Sequence, residues 1–297
     1  MVGREGPVDS LTLPIEAPLD LRRTLSPLHG RFADDGWWLT ARTGDGPGSL
    51  RVRRTREDLI GEAWGDGASW LLCRLGAIAG LEDHPSAFST SNEIVAALHR
   101  RNLGARFGRT GLVLDSAVIA VCGQKVTAQE AGRAISGLYR RFSAPAPGPA
   151  GLRLPPDPAR IAETPYWELH ELGLEKRRAD ALGALARRRE RVEALAGAES
   201  DEAAAVLGSI NGVGAWTVAK TLEVSHGDPD RPAVGDFHLK HMVVHHLTGR
   251  DRGSDEEMVD LLAQFRPHRG RVVRLLSLLG RAPRFGPRRP SRDISHM

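Results

Sequence analysis

The sequence contains little cysteine and no long apolar run. Only two of its 297 residues are cysteines, Cys73 and Cys122. Two thiols so far apart along the chain provide neither a disulfide framework nor a cysteine-ligated metal cluster. No apolar run reaches the roughly 18 residues that span a bilayer, and the N-terminal segment MVGREGPVDS lacks the apolar core of a signal peptide. We therefore expect a reduced, cytoplasmic protein that does not enter a membrane.

The charge of the chain is modest in sum but uneven in placement. The formal net charge is +4, with 26% charged and 41% hydrophobic residues, which is typical of a globular protein. Between Arg266 and Asp293 stand nine arginines and one aspartate, a local balance of +8. Such a run is either a solvated tail or a surface that faces phosphates.

The first third of the chain predicts mixed α and β structure. Alternating residues over 37–40 and 49–54 predict two strands, separated by a turn rich in glycine, proline and aspartate over 43–48. In the second strand Arg51 and Arg53 would share one face of the sheet, with Leu50 and Val52 on the other.

From Leu112 onward the pattern predicts one helix after another. Thr127 would start a helix that ends near Phe142, Asp157 would cap a helix beginning at Pro158, and a long helix is predicted over 176–196. The chain thus divides into an α+β domain over 1–111, an all-α core over 112–280 and a basic irregular tail over 281–297. The fold class is mainly α.

The central stretch, residues 207–242, combines a glycine hairpin with a carboxylate. Gly212 and Gly214 lie between two helical patterns, where glycine allows positive φ and close approach of a second backbone. The free amides at such a tip, beside a helix N-terminus, suit a phosphate. About twenty residues further on, Asp236 precedes an amphipathic helix. The stretch therefore predicts a carboxylate held near a phosphate-binding hairpin.

The hairpin and the aspartate together resemble the helix-hairpin-helix–GPD family of DNA glycosylases. The matching segments are Gly212–Thr217 and Arg231–Asp236. Within the family, the chain is most similar to the bacterial 3-methyladenine DNA glycosylase II type, in which a small α+β domain precedes a helical core. Segments 123–127, 173–179 and 265–269 support this resemblance, which covers roughly 112–280.

The resemblance implies that Asp236 is catalytic. A fixed carboxylate stabilises the positive charge that develops on deoxyribose when an N-glycosidic bond breaks, and it can orient or deprotonate the attacking water. Aspartate is also a favoured helix N-cap. The two roles can coexist.

Three other residues are predicted to bind the damaged base. Trp216 stands where bifunctional relatives carry a lysine that forms an imine with the sugar. Without an amine at this position, water should be the nucleophile. Lys220, one turn further on, is the nearby lysine that could complicate this interpretation. An aromatic face at Trp216 would attract a cationic alkylated purine, or the indole would only pack in the core. Phe237 would line the pocket or only pack, and His268 replaces an aromatic residue that is more common in the family.

The resemblance also implies a set of DNA contacts. Gln124 and Lys125 stand where the family inserts a side chain into the duplex; Gln124 would fill the gap, or Lys125 would contact a phosphate, or both would belong to a solvated helix end. The remaining predicted contacts come from Gly212, Gly214 and Arg269. The hairpin could also be a purely structural turn.

We expect no required cofactor. The family binds a monovalent cation through hairpin carbonyls, which by position are those of Gly208, Ile210 and Val213. His241 and His245 are four residues apart on a predicted helix but lack an acidic partner in a zinc motif, so they indicate zinc only weakly. Residues 176–178 are expected on a solvated helix face.

The expected function is that of a monofunctional DNA glycosylase, a monomer that excises 3-methyladenine-like bases from double-stranded DNA by base flipping. One alternative is the same fold acting on deaminated or other damaged bases. A second alternative is a DNA-binding damage sensor without catalysis, in which Asp236 serves only as a cap.

Overall fold

The computed structural model of the chain describes residues 9–283 and 290–293. Its N-terminal part contains one antiparallel sheet. The strands are β1 (Asp9–Pro14), β2 (Arg31–Ala33), β3 (Gly36–Thr43), β4 (Gly46–Arg54) and β5 (Asp58–Trp64). Their order across the sheet is β1-β5-β4-β3-β2, so that β1 forms one edge of the sheet and pairs with β5.

The β3–β4 hairpin confirms the two strands predicted from alternation, although its turn is shorter than the predicted one. Leu50 and Val52 are buried in the core beneath the sheet. Arg51 and Arg53 share the other face, where both guanidinium groups donate to Glu62. Alternation thus sorts apolar and charged side chains to opposite faces, as a pleated strand requires.

The remaining described structure is mainly helical. The α-helices are α1 (Leu21–Leu25), α2 (Ala68–Cys73), α3 (Leu75–Ile78), α4 (Glu93–Arg101), α5 (Val113–Cys122), α6 (Ala128–Phe142), α7 (Pro158–Glu163), α8 (Tyr166–His170), α9 (Lys176–Ala186), α10 (Arg189–Glu193), α11 (Ser200–Gly208), α12 (Ala215–Ser225), α13 (Leu239–Thr248), α14 (Asp255–Ala263) and α15 (Arg269–Leu276). None of these helices combines the length and apolar character needed to cross a membrane.

Several predicted helix starts are confirmed by their caps. The Thr127 hydroxyl accepts the N–H of Glu130, whose carboxylate accepts the N–H of Thr127, which is a complete capping box. Asp157 caps α7 with Pro158 as the first helical residue. The single long helix predicted over 176–196 is wrong, because the backbone at Arg188 leaves the helical region (φ −110°, ψ 18°) between α9 and α10.

Helices α5 to α12 enclose one hydrophobic core. The most buried helix is α5, which packs against both α9 and α12. Arg178 was expected on a solvated surface, and that prediction is wrong: the side chain is only 2% exposed. Its guanidinium donates to the carbonyls of Cys122 at 2.9 Å and Gly173 at 2.8 Å, which joins the end of α5 to the turn before α9.

A second helical core lies near the C-terminus. It is built from α13, α14 and α15 together with Val95 of α4 and Phe88, which precedes α4. Helix α4 therefore packs across the predicted boundary at residue 111. The division into 1–111, 112–280 and 281–297 stays a prediction, and residues 1–8, 284–289 and 294–297 lie outside the described part of the chain.

Candidate functional site

The loop between α11 and α12 forms the predicted glycine hairpin. Gly212 has φ +85°, and a Cβ at this residue would lie 2.7 Å from the Cβ of Ala181 in α9. This position therefore needs glycine both for its backbone conformation and for close packing. Gly214 differs: it has extended backbone (φ −94°, ψ 178°), it caps α12, and a Cβ there would meet nothing within 4 Å.

The end of α5 reaches the hairpin through Gln124. Its Nε2 donates to the carbonyl of Gly212 at 2.9 Å and to the hydroxyl of Thr217 at 2.8 Å. Thr217 is buried in α12 and was not among the predicted site residues. Its only signal in the sequence is a hydroxyl on a helix whose neighbouring residues are largely apolar. The predicted hairpin is therefore tied to the α5–α6 loop through polar contacts.

Trp216 extends from α12 toward Asp236. A Cβ built on Gly123 would lie 3.2 Å from Cη2 of Trp216, so the benzo end of the half-buried indole lies against the end of α5. At the other end, the indole Nε1 donates to Oδ2 of Asp236 at 3.1 Å. The structure thus brings together two residues that the sequence predicted as a base-binding and a catalytic group.

Asp236 is half-buried and makes use of both carboxylate oxygens. While Oδ2 accepts from Trp216, Oδ1 accepts the backbone N–H groups of His238 at 2.8 Å and Leu239 at 3.0 Å. His238 is the N-cap residue of α13 and Leu239 is its first residue, so Asp236 satisfies two N–H groups at the helix start from two residues before the cap. The N-cap interpretation and a fixed carboxylate beside an aromatic ring are therefore both compatible with this geometry.

Phe237 is 65% exposed, next to Asp236. Its ring makes edge contacts with His238 (centroids 5.0 Å apart) and His241 (6.2 Å). The exposure by itself does not decide between packing and ligand contact, so the role of Phe237 in the pocket stays a prediction.

His268 lies in a different setting. It stands at the start of α15, where its ring packs edge-on against Phe88 at 5.1 Å between centroids, and its Nδ1 accepts from Nε of Arg271 at 3.4 Å. Burial, followed by the nearby charge of Arg271, lowers the pKa of His268. These contacts place His268 in the C-terminal core, and its role in binding a base stays a prediction.

The arginines of the C-terminal run do not all present their charge to solvent. The three arginines of α15 are paired with acidic partners: Arg269 with Asp230, Arg271 with Asp83, and Arg274 with Glu223. Arg269 donates from Nε and Nη2 to the two carboxylate oxygens of Asp230, at 3.0 Å and 2.7 Å. The local balance of +8 therefore overstates the free charge here. The run continues through Arg284, Arg288 and Arg289, which lie outside the described residues.

Lys125 and Lys220, the two lysines closest in sequence to the predicted site, differ in their surroundings. Lys125 is exposed at the tip of the α5–α6 loop, in left-handed backbone conformation (φ 54°). Lys220, one turn after Trp216, is paired with Glu223. Burial alone would raise the pKa of Glu223, but the charges of Lys220 and Arg274 lower it to about 2. Lys220 thus belongs to an ion-pair network.

The three hairpin carbonyls predicted to bind a cation are not equivalent. The carbonyl of Ile210 accepts the N–H of Val213 at 3.0 Å, whereas no hydrogen bond to the carbonyls of Gly208 or Val213 is found within residues 9–283 and 290–293. A carbonyl oxygen has two lone pairs, so Ile210 also keeps one for a ligand, and the binding of a cation by the three carbonyls stays a prediction.

The histidines considered for zinc have other contacts. Nδ1 of His241 accepts the N–H of Gly253, and His245 lies 3.4 Å from a carboxylate oxygen of Asp251. The part of the chain that the structure describes contains no group of three or more His, Cys, Asp or Glu residues able to hold a metal ion.

The fold is similar to those of solved DNA glycosylases. A 3-methyladenine DNA glycosylase from Archaeoglobus fulgidus is 17% identical with a TM-score of 0.75, over 90% of this chain and 97% of that one. An 8-oxoguanine glycosylase/lyase from Clostridium acetobutylicum is 13% identical with a TM-score of 0.70, over 92% and 96%. The 3-methyladenine DNA glycosylase of Schizosaccharomyces pombe in complex with abasic DNA is 17% identical with a TM-score of 0.51, over 65% and 94%.

No family model matches the sequence, and no curated protein matches it. The fold that the resemblance implied, a helical core with a small α+β part before it, is confirmed by the likeness to these solved structures.

Proposed function

We propose that this chain is a monofunctional DNA glycosylase that removes alkylated purines, mainly 3-methyladenine-like bases, from double-stranded DNA. One observation carries the proposal: Asp236 is held between the indole N–H of Trp216 and the first amides of α13. A carboxylate held this firmly needs no reorganisation when charge develops next to it, which is the condition for electrostatic catalysis.

The reaction needs a fixed negative charge close to the sugar. Cleavage breaks the bond between C1′ of deoxyribose and the ring nitrogen of the base, and the bonding electrons leave with the base. An N3-alkylated purine carries a positive charge before cleavage, so it departs neutral. The positive charge that develops on the sugar is stabilised by Asp236. Water then adds its oxygen to C1′ and gives up a proton, for which the same carboxylate is an acceptor.

Two aromatic side chains close to Asp236 fit a cationic base. Trp216 contacts the carboxylate directly, and Phe237 presents an exposed ring at the next residue. Aromatic faces attract cations by about 0.5–2 kcal/mol, depending on desolvation. A flipped alkylated purine would gain this attraction, whereas its neutral counterpart would not.

DNA binding is assigned to the hairpin and the α5–α6 loop. At Gly214 the open space around the start of α12 allows a phosphate to approach backbone amides. The exposed Lys125 would contribute an ammonium group to a phosphate of the DNA backbone. A monovalent cation held by the carbonyls of Gly208, Ile210 and Val213 would supply a positive charge for the phosphate backbone.

The test is base release from duplex DNA. With methylated DNA as substrate, Asp236→Asn should lower the single-turnover rate at least a hundredfold, since a fixed group of this kind contributes roughly 3 kcal/mol or more. DNA affinity should be retained. Asparagine can keep the cap through its Oδ1, but its NH₂ would then face the indole N–H in place of an acceptor.

A panel of substrates separates this proposal from its rivals. Duplexes with hypoxanthine, uracil or 8-oxoguanine test the same fold acting on other bases. Release of one of these without release of methylated purines would overturn the alkylpurine assignment. Binding of damaged DNA without release of any base, unchanged in Asp236→Asn, would identify a damage sensor.

A further inference from the structure

Gln124 connects the end of α5 to two points of the hairpin region that are about ninety residues further along the chain. Its single amide nitrogen carries two hydrogens, and each has a partner: the carbonyl of Gly212 at 2.9 Å and the hydroxyl of Thr217 at 2.8 Å. These partners lie at the tip of the hairpin and in the first turn of α12. The Gln124 side chain, which belongs to the α5–α6 loop, therefore links the hairpin to the start of α12.

The residue before Gln124 contacts the residue between those partners. Gly123 leaves room for the benzo end of Trp216, since a Cβ there would lie 3.2 Å from Cη2 of the indole. The end of α5 thus meets the hairpin at three neighbouring points. Two are hydrogen bonds of Gln124, and the third is the packing of Gly123 against Trp216.

We propose that Gln124 is a positioning residue, which sets the place of Trp216 and, through the indole N–H, the orientation of Asp236. The inference rests on the proposed function where it concerns base release. The arrangement itself is independent of catalysis, because the contacts from Gln124 to Thr217 and from Trp216 to Asp236 lie within the protein.

This assignment replaces one of the alternatives left open by the sequence. A Gln124 side chain that filled a gap in the duplex would have to break both of its hydrogen bonds to the hairpin. The neighbouring Lys125 is exposed at the tip of the loop, with φ 54° turning the chain there. On this assignment the exposed ammonium group of Lys125 is the one that would meet DNA, while the amide of Gln124 stays bonded to Gly212 and Thr217.

The first test is spectroscopic and needs no substrate. The protein has six tryptophans, so six indole N–H resonances are expected in a ¹⁵N correlation spectrum. The Trp216 signal is assigned as the one lost in Trp216→Phe. In Gln124→Met, which keeps length but removes both donors, this signal should shift or broaden while the fold is retained. Lys125→Met is the matched control, and it should leave the Trp216 signal in place.

The second test is kinetic. Gln124→Met should lower the single-turnover rate of base release about tenfold or more, with DNA affinity changed less than about threefold. Combined with Trp216→Phe, the loss should be less than the product of the two single losses, because both act through the same contact. A residue that only fills the duplex would instead weaken binding to damaged DNA and combine independently with Trp216→Phe.

The outcomes are separable from the proposed function. An unmoved Trp216 resonance in a folded Gln124→Met protein overturns the positioning role, whatever the enzyme does. A shifted resonance with no base release by the wild-type protein supports the positioning role and refutes the glycosylase.

Discussion

The indole Nε1 of Trp216 donates to Oδ2 of Asp236 at 3.1 Å, so the aromatic ring and the carboxylate form one unit. Trp216→Phe keeps an aromatic face and the charge of Asp236 but removes the donor. A hydrogen bond to a charged group contributes about 1.5–3 kcal/mol. We therefore expect single-turnover base release to fall about ten- to a hundredfold, less than in Asp236→Asn. Equal rates for Trp216→Phe and wild type would show that the bond has no part in catalysis.

A Schiff base is not expected in this protein. Trp216 provides no amine, and Lys220 is paired with Glu223, which also accepts from Arg274. Borohydride should therefore trap no covalent protein–DNA adduct during turnover, and the abasic strand should remain uncleaved until alkali is added. An adduct that persists in Trp216→Phe and disappears in Lys220→Ala would show that Lys220 is a nucleophile.

The two hairpin glycines should respond differently to substitution. Gly212→Ala forces a left-handed residue, at about 1–2 kcal/mol, and brings its Cβ to 2.7 Å from that of Ala181. The melting temperature should fall.

Gly214→Asp is the matched change. Aspartate is a favoured N-cap, and the position is open, so the melting temperature should be retained. DNA affinity should fall at low salt because the new charge repels phosphate. Unchanged affinity in a stable Gly214→Asp protein would remove this end of α12 from the DNA-binding surface.

Because Arg269 forms an ion pair with Asp230, we expect Arg269→Ala to lower the stability of the protein more than its affinity for DNA. Both groups are largely buried, with side chains 15% and 23% exposed. Arg269→Ala leaves Asp230 without its charged partner, so the melting temperature should fall, while the log–log salt slope of DNA binding should stay constant. A stable Arg269→Ala protein whose slope is shallower by about 0.9 would restore the phosphate contact predicted from the sequence.

The pH dependence of stability should show the contribution of Asp115. Burial, with a further contribution from Glu193, raises the pKa of Asp115 to about 7, although the charge of Arg42 opposes the shift. The folded protein thus binds this proton more tightly than the unfolded chain, whose carboxyl has a pKa near 4. The resulting stability is present below pH 4 and is lost as the pH rises through 7.

Asp115→Asn removes this titration. In urea unfolding, the difference in free energy between Asp115→Asn and wild type should move in favour of the variant between pH 5 and pH 8. A constant difference across that range would show that Asp115 has an ordinary pKa in the folded protein.

Features that depend on neighbours along the chain could be predicted from the sequence. The helix starts at Thr127 and at Asp157–Pro158 and the alternation over 49–54 are local signals, and the structure confirms each of them. The hairpin followed by Asp236 was also recognisable, since the residues of Gly212–Thr217 and Arg231–Asp236 and their spacing carry the resemblance. The sequence predicted both Trp216 and Asp236 as site residues, but no local pattern predicts a bond between side chains twenty positions apart.

Other features were decided by the tertiary structure. Whether an arginine is solvated, buried or paired depends on which carbonyls and carboxylates the fold brings to it. Arg178 meets the carbonyls of Cys122 and Gly173, and Arg269 meets Asp230. Gln124 likewise finds both of its partners about ninety residues away. The sequence by itself determined the capped helix starts at Thr127 and Asp157 and the residue types of the site, because backbone conformation and capping act over a few residues. The hydrogen-bond and ion-pair partners of long polar side chains often come from distant parts of the chain, so only the packed structure decides which partner each side chain meets.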